Sequence, residues 1–311
     1  MGRFTGKKVA VLYGGRSSER EVSLRTGAAC ADALRSRGHD VALVDVDLEV
    51  GARLRALGAE VAFVALHGRW GEDGCIQGLL ESLAIPYTGS GVLASAVGMD
   101  KVVSKTMFRM LGIPVIEYAV FPAARAAAPG AVGVADLPFG LPCVVKPSRE
   151  GSSVGVHLVK DAAALGPALA DAASYEGDVI VERYVKGKEI QVAVLDGKAL
   201  GAIEVVPANE FYDYAAKYTA GTTQYFYPAR VSPADARAVC DMAEKAHAGL
   251  GCAGVTRTDF ILAPDGTPFI LETNTLPGMT ATSLVPKIAA GNGIAFPDLC
   301  ERLLESAALK A

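Results

Sequence analysis

Residues Val255 to Pro277 read VTRTDFILAPDGTPFILETNTLP, two apolar segments joined by Pro264-Asp265-Gly266. Apolar residues on both sides of a turn-forming triplet predict a strand, a turn and a second strand. Side chains two apart on a strand share a face, so Arg257 goes with Asp259 and Glu272 with Asn274, while Phe260, Leu262, Phe269 and Leu271 are expected on the other face. If the strands pair across the turn, one face collects a guanidinium, two carboxylates and an amide oxygen. That set suits a hard cation. Mg²⁺ takes one or two carboxylates, keeps some waters and fills its remaining positions with phosphate oxygens, which points to nucleotide chemistry. An ion-paired surface hairpin is the alternative that these residues alone leave open.

Upstream of the hairpin the pattern changes twice. From Lys7 to Tyr87 apolar strands (VAVLY, VALVDV, VAFVALH, IPY) alternate with helical stretches, one from about Ser23 to Arg37 with Leu24, Ala28, Ala31 and Leu34 on one stripe, another near Ile76 to Ser82. Such alternation predicts parallel βαβ units. A new unit is expected near Met99, opening with the helical MDKVVSKTMFRML, and AARAAAPGAVG reads as a surface connection. Beyond it PCVVKP, VGVHLV, DVIVERYV, KEIQVAVL and KALGAIEVVP read as an antiparallel or mixed sheet, and a long helix from about Pro233 to Leu250 precedes the hairpin. Between Ala208 and Pro228 the tyrosine-rich NEFYDYAAKYTAGTTQYFY lacks clear periodicity and reads as a long functional loop, such as a lid.

Composition narrows the class. With 311 residues, 51% hydrophobic and 21% charged, the chain can bury a large core and reads as a soluble globular protein of two or three domains. A formal charge of −4 without a long basic run speaks against nucleic acid as the main partner. Cys30, Cys75, Cys143, Cys240, Cys252 and Cys300 form no CxxC pair and the histidines no zinc spacing, as expected of reduced thiols in a cytosol. The apolar run near the N-terminus is too short for a signal sequence, and no stretch is long enough to span a membrane, so neither export nor membrane insertion is expected.

Several further segments carry candidate chemistry. CVVKPSREGSSVGVHLV sets Lys146 at a strand end before a Gly/Ser turn whose backbone N–H groups can approach an anion. The order is strand, loop, strand, and no GxxxxGK[ST] occurs, so it is not a P-loop; a tight turn with a solvated lysine is the alternative. GGRSSEREVS leads the first strand into the first helix, offering an anion or substrate site at the helix N-terminus, with Glu19 and Glu21 close by. Acidic residues there also serve as ordinary dipole compensation. ALHGRWGEDGCIQG puts His67 at a strand end, where a structural role is the commoner one. YTGSGVLASA imitates a dinucleotide fingerprint, but after a strand too short to support it.

Taken together, GGRSSEREVS, HGRWGEDGCIQG, YTGSG, MDK, VKPSREGSSVGV, FYDYAAKY, TQYFYPA, RTDF and ETNTLPGMTATSL resemble, in order and over nearly the whole chain, the D-alanine:D-alanine ligases of the ATP-grasp superfamily. The resemblance implies an α/β and α+β fold: a Rossmann-like N-terminal substrate domain (1–98) followed by a two-part ATP-grasp fold, with a central subdomain (99–186) and a C-terminal subdomain (187–311) carrying a lid loop over 208–228. It implies that Lys101 and Lys146 contact ATP phosphates, that Ser153 also binds ATP, that Glu182 and Glu189 hold the adenine and ribose side, and that Asp259, Glu272 and Asn274 ligate two Mg²⁺ (or Mn²⁺). Arg257 and the Gly278 N–H would stabilise developing charge. Glu19 would bind the first D-alanine's ammonium with His67 nearby, Lys217 would contact substrate, Ser283 would take the second D-alanine's carboxylate, and Glu19, Ser152 and Tyr218 would form a hydrogen-bonded set. The implied reaction passes through an acyl phosphate to D-alanyl-D-alanine for peptidoglycan synthesis, in a cytoplasmic homodimer. Thr258 and Thr273 stand where the family usually shows apolar residues. A D-alanine:D-lactate ligase is the nearest rival, against which Tyr218 speaks; a D-serine acceptor stays open.

Overall fold

Strand β1 (Lys8–Tyr13) lies between β2 (Asp40–Asp45) and β3 (Val61–Val64), parallel to both. Its unbroken apolar run follows from cover on both faces. Val9 and Val11 pack with Cys30, Ala31 and Leu34 of α1 (Arg20–Ser36), whereas Ala10 and Leu12 pack with Val50 and Leu54 of α2 (Val50–Leu57) and Ile76 and Leu80 of α3 (Cys75–Ser82). The expected strand at IPY is reduced to one residue, Tyr87, bridging Ala62 and Ala308. The computed structural model describes residues 2–207, 223–281 and 283–310.

Helices α4 (Val92–Met99) and α5 (Lys101–Met110) meet at Asp100, whose carboxylate accepts hydrogen bonds from the Val102 and Val103 N–H groups and so caps α5. The buried positions of α5, Lys101, Ser104, Lys105 and Phe108, follow helical spacing, yet two are lysines. Phe108 and Ile113 enter the core beneath the C-terminal sheet.

The central sheet runs β4-β7-β5-β6 with all pairs antiparallel, from β4 (Tyr118–Phe121), β5 (Cys143–Pro147), β6 (His157–Val159) and β7 (Val179–Arg183), and α7 (Ala162–Ala172) covers one face. The stretch expected to be a surface connection instead carries α6 (Ala123–Ala127) and buries Ala126 and Val132 in this core. Small alanines permit that close packing, which their low hydrophobicity hid in the sequence.

The C-terminal sheet runs β10-β9-β8-β11-β12, from β8 (Lys188–Leu195), β9 (Lys198–Pro207), β10 (Thr223–Phe226), β11 (Val255–Leu262) and β12 (Pro268–Asn274), antiparallel throughout. Helix α8 (Pro233–Gly249), capped by the Ser232 hydroxyl, sets Val239, Ala243 and Ala246 against Ile190, Val192 and Phe260. Helices α9 (Leu284–Gly291) and α10 (Phe296–Glu305) join this sheet to α1 in one core containing Cys30, Val205, Ile288 and Leu303. Of the expected loop over 208–228, residues 223–226 form the edge strand β10, and residues 208–222 lie outside the described residues. In TQYF two polar residues precede two aromatic ones, so no two-residue alternation marks the strand.

Candidate active site

The hairpin pairs Arg257 with Asn274 and Asp259 with Glu272. Its turn places Gly266 at φ 83 and lets Asp265 accept from the Thr267 N–H. A register shift after Asp259 leaves Leu271 as the extra residue of a bulge, since Phe260 pairs with Ile270. The expected apolar face is therefore corrected. Ile270 joins Phe260 and Leu262 in the core, Phe269 pairs with Ile261, and Leu271 turns with Glu272 toward a cleft. Thr258 and Thr273, both buried, bring their hydroxyl oxygens to 3.1 Å, so each satisfies the other. Arg257 donates to both oxygens of Asp259, at 2.8 and 2.9 Å.

The cleft, a cavity of about 380 Å³, lies between the two antiparallel sheets. Alternation on β5 and β7 sends Cys143, Val145, Val179 and Val181 to the core and leaves Val144, Lys146 and Glu182 on the cleft. Lys101, Ser153, Glu189, Asp259 and Glu272 complete its polar wall; Ile116, Ile261 and Leu271 supply an apolar part. A second cavity of about 180 Å³ is lined by Glu19, His67, Gln191, Arg257, Asn274, Gly278 and Ser283. The two share Lys101, Glu150, Gly151, Ser152 and Glu272. A nucleotide-sized cleft thus opens onto a small polar chamber across one glycine loop and one lysine.

Buried charge concentrates at this wall. Glu182, 2% exposed, lies 2.6 Å from Lys105 and 2.8 Å from Lys146, while Lys101 reaches Glu272 at 3.6 Å and donates to the Glu150 carbonyl. Burial pushes the Glu182 carboxyl up, but Lys105 and Lys146 outweigh it and hold it at about 2. Burial takes Lys105 the other way, down to about 8, against the pull of Glu182. The carboxylate has two ammonium neighbours and Lys105 has one carboxylate in contact, which is why only Glu182 gains from the arrangement. Glu182, expected beside adenine and ribose, is thus tied to two lysines. Glu189 accepts from the Gln191 amide at 3.0 Å.

The loop after β5 holds Ser152 and Ser153 at φ 51 and 60, in the left-handed region. The Ser152 hydroxyl donates to Glu19 across the chamber, and a Cβ on Gly151 would stand 2.9 Å from the same carboxylate. His67 is held by Thr26 at 3.0 Å and the Leu276 carbonyl at 3.1 Å, so it ties the N-terminal sheet to the end of the hairpin. Glu72 lies half-buried beside His67, and burial raises its carboxyl above the usual range. The Ser283 hydroxyl sits at the start of α9, accepting from the Thr280 N–H. Tyr218 and Lys217 fall outside the described residues.

Two glycine turns noted in the sequence have contacts of their own. At Gly14-Gly15 the anion position is filled by the protein's own Asp45, which accepts from the Gly15 N–H and pairs with Arg20 through both oxygens. The glycines of YTGSG serve packing: a Cβ on Gly89 would meet Leu276 at 3.1 Å. Sequence reasoning also passed over Lys105 and Gln191. Lys105 had a signal, being one helical turn beyond Lys101; Gln191 had none that is local, because its place depends on pairing with Asp259.

Asp259, Glu272 and Asn274 are hard oxygen donors on facing strands at the cleft wall, and in donor type they suit a divalent cation. Among the described residues no three His, Cys, Asp or Glu cluster for a metal, so an ion here would need phosphate oxygens or water to complete its shell.

Comparison with known proteins bears on this geometry. The family model described as D-ala D-ala ligase C-terminus matches residues 107–305, and that described as D-ala D-ala ligase N-terminus matches residues 49–90. The chain is 78% identical over 311 residues to a D-alanine–D-alanine ligase of Anaeromyxobacter dehalogenans, covering 100% of both. It is 52% identical over 304 residues to that of Geotalea uraniireducens, covering 98% of this chain and 96% of the relative. Among solved structures, the D-alanine–D-alanine ligase from Bacillus anthracis complexed with ATP superposes with a TM-score of 0.83 at 34% identity, covering 96% of each chain.

Proposed function

From the chain's membership of the D-alanine–D-alanine ligase family we infer its reaction, the ATP-dependent joining of two D-alanine molecules. The enzyme is an ADP-forming ligase of ATP-grasp fold. A carboxylate oxygen of one D-alanine attacks the γ-phosphorus, the bond to the ADP oxygen breaks, and D-alanyl phosphate forms. The amine of a second D-alanine then attacks the acyl carbon and phosphate leaves, giving D-alanyl-D-alanine for peptidoglycan precursors. The observation that carries this reading is the junction of the large cleft with the small chamber at Lys101, Glu272 and the glycine loop.

Roles follow from chemistry at that junction. Two anions must meet for the first step, so cations must offset the charge. We assign Lys101, Lys146 and Ser153 to the phosphates and Glu189, with Glu182 behind it, to the nucleoside end. Arg257 and the Gly278 N–H serve the transferring phosphoryl and the tetrahedral oxyanion. Asp259, Glu272 and Asn274 would hold two Mg²⁺ or Mn²⁺, whose chemistry is to offset phosphate charge. Glu19, oriented by Ser152, takes the first D-alanine's ammonium with His67 as its support, and Ser283 the second's carboxylate. Tyr218 and Lys217 belong to the proposed lid. Residues 1–98 are the substrate domain, and 99–186 and 187–311 the two halves of the nucleotide clasp. No helix among the described residues is long and apolar enough to cross a membrane. We place the enzyme in the cytoplasm, as a homodimer, on family resemblance.

With Mg²⁺ and ATP, the purified protein should release phosphate only when D-alanine is added, and D-lactate as second substrate should be used far less, with D-serine measured beside it. Equal phosphate release without any D-amino acid would sink the ligase reading.

A further inference from the structure

Lys105 lines neither cavity and is fully buried, yet it occupies a position on α5 where helical spacing calls for a core residue. A buried ammonium is costly, and an apolar side chain of similar volume would fill the same space without that cost. Its contact is Glu182, whose second oxygen holds Lys146 of the cleft wall. Two ammonium groups thus share one carboxylate, leaving a surplus of one positive charge beside the cleft. With Lys105 neutral, the charge of Lys146 would be matched by Glu182, and a phosphate would have to compete with that carboxylate for it. Burial already draws the Lys105 proton affinity down, as expected of a charge held where it is expensive.

We propose that Lys105 is a positioning residue for nucleotide binding: it neutralises Glu182 from inside the core and so frees the charge of Lys146 for the phosphates. This rests on the assignment of the large cleft to ATP. The same helix then serves the nucleotide twice, directly through Lys101 and indirectly through Lys105 one turn later.

The test uses the full-length enzyme, with wild-type D-alanine-dependent phosphate release established first. Failure of that control would reject the ligase reading and leave the lysine question apart. Lys105→Met should raise KM for ATP about tenfold with kcat and KM for D-alanine changed by no more than about threefold. In a Glu182→Gln background Lys105 has no carboxylate to neutralise, so Lys105→Met/Glu182→Gln should match Glu182→Gln alone in KM for ATP to within about threefold. A packing role would raise KM for ATP by the same factor in both backgrounds. An unchanged KM for ATP in the single variant, or the same rise in the Glu182→Gln background, overturns the proposal. If Lys105→Met does not fold, Lys105→Gln takes its place in the same four-way comparison, with the same two results deciding.

Discussion

Glu272 carries a charge that both cavities share, beside Lys101 and opposite Asp259. Glu272→Gln keeps its shape and removes that charge, so kcat should fall by about a hundredfold or more while the circular dichroism spectrum and unfolding midpoint stay close to wild type. Normal turnover in this variant would take Glu272 out of the metal set. Glu182 makes a different prediction, about stability. Its carboxyl is held at about 2 against an ordinary 4.5, so its contribution is present above pH 4.5 and is lost as pH falls from there through 2. A shift of that size corresponds to roughly 3 kcal/mol. Wild type should therefore lose more of its unfolding midpoint between pH 5 and pH 3, the upper part of that window, than Glu182→Gln does. Parallel acid profiles would mean that the lysine pairs do not stabilise the carboxylate. The hairpin quartet was legible because a two-residue period is local, readable in RTD and ETN. Glu182 was not, because its partners arrive from a helix and a second strand that only the folded chain brings together.

At the scale of elements, the hairpin shows how far alternation reaches. Phe269-Ile270-Leu271 is apolar without a break, so nothing in it says which residues share a face; the bulge after Asp259 decides in favour of Ile270. The same bulge turns Leu271 to the cleft, giving the nucleotide side an apolar contact that strict alternation would have buried. Between the strands, Thr258 and Thr273 replace apolar packing with a hydroxyl pair. Thr258→Val should lower stability by about 1–2 kcal/mol by leaving the Thr273 hydroxyl buried without its partner, and Thr258→Val/Thr273→Val should recover most of that loss. Thermal unfolding of the two single variants and the double measures the coupling. Additive losses would mean that the hydroxyls do not bond. Elements with a long run of one period, such as α1 and α8, were legible to within a few residues, whereas α6, little more than one helical turn, and β10, whose four residues do not alternate, were not.

Over the whole molecule, the chamber is assembled from parts far apart in sequence. The N-terminal sheet supplies Glu19 and His67, the central sheet its glycine loop, and the C-terminal sheet the hairpin. Order along the chain predicted three such units, and the closeness of Glu19 to Ser152 was expected only through the resemblance. The Ser152–Glu19 contact and the bond between His67 and the Leu276 carbonyl join residues far apart in the chain, long-range events that local sequence does not record. Gly151 lines both cavities. A side chain there would stand 2.9 Å from one Glu19 oxygen while Ser152 holds the other, so the carboxylate must leave its position or the loop must lift from the N-terminal domain. Either movement disturbs the proposed ammonium site while leaving Lys101 and Lys146 on their own rigid elements. Gly151→Ala should therefore lower kcat/KM for D-alanine by about tenfold or more while KM for ATP stays within about threefold. Steady-state kinetics with each substrate varied in turn separates the two effects. A rise in KM for ATP alone would assign the loop to the nucleotide only, and would detach Glu19 from the substrate it is proposed to hold.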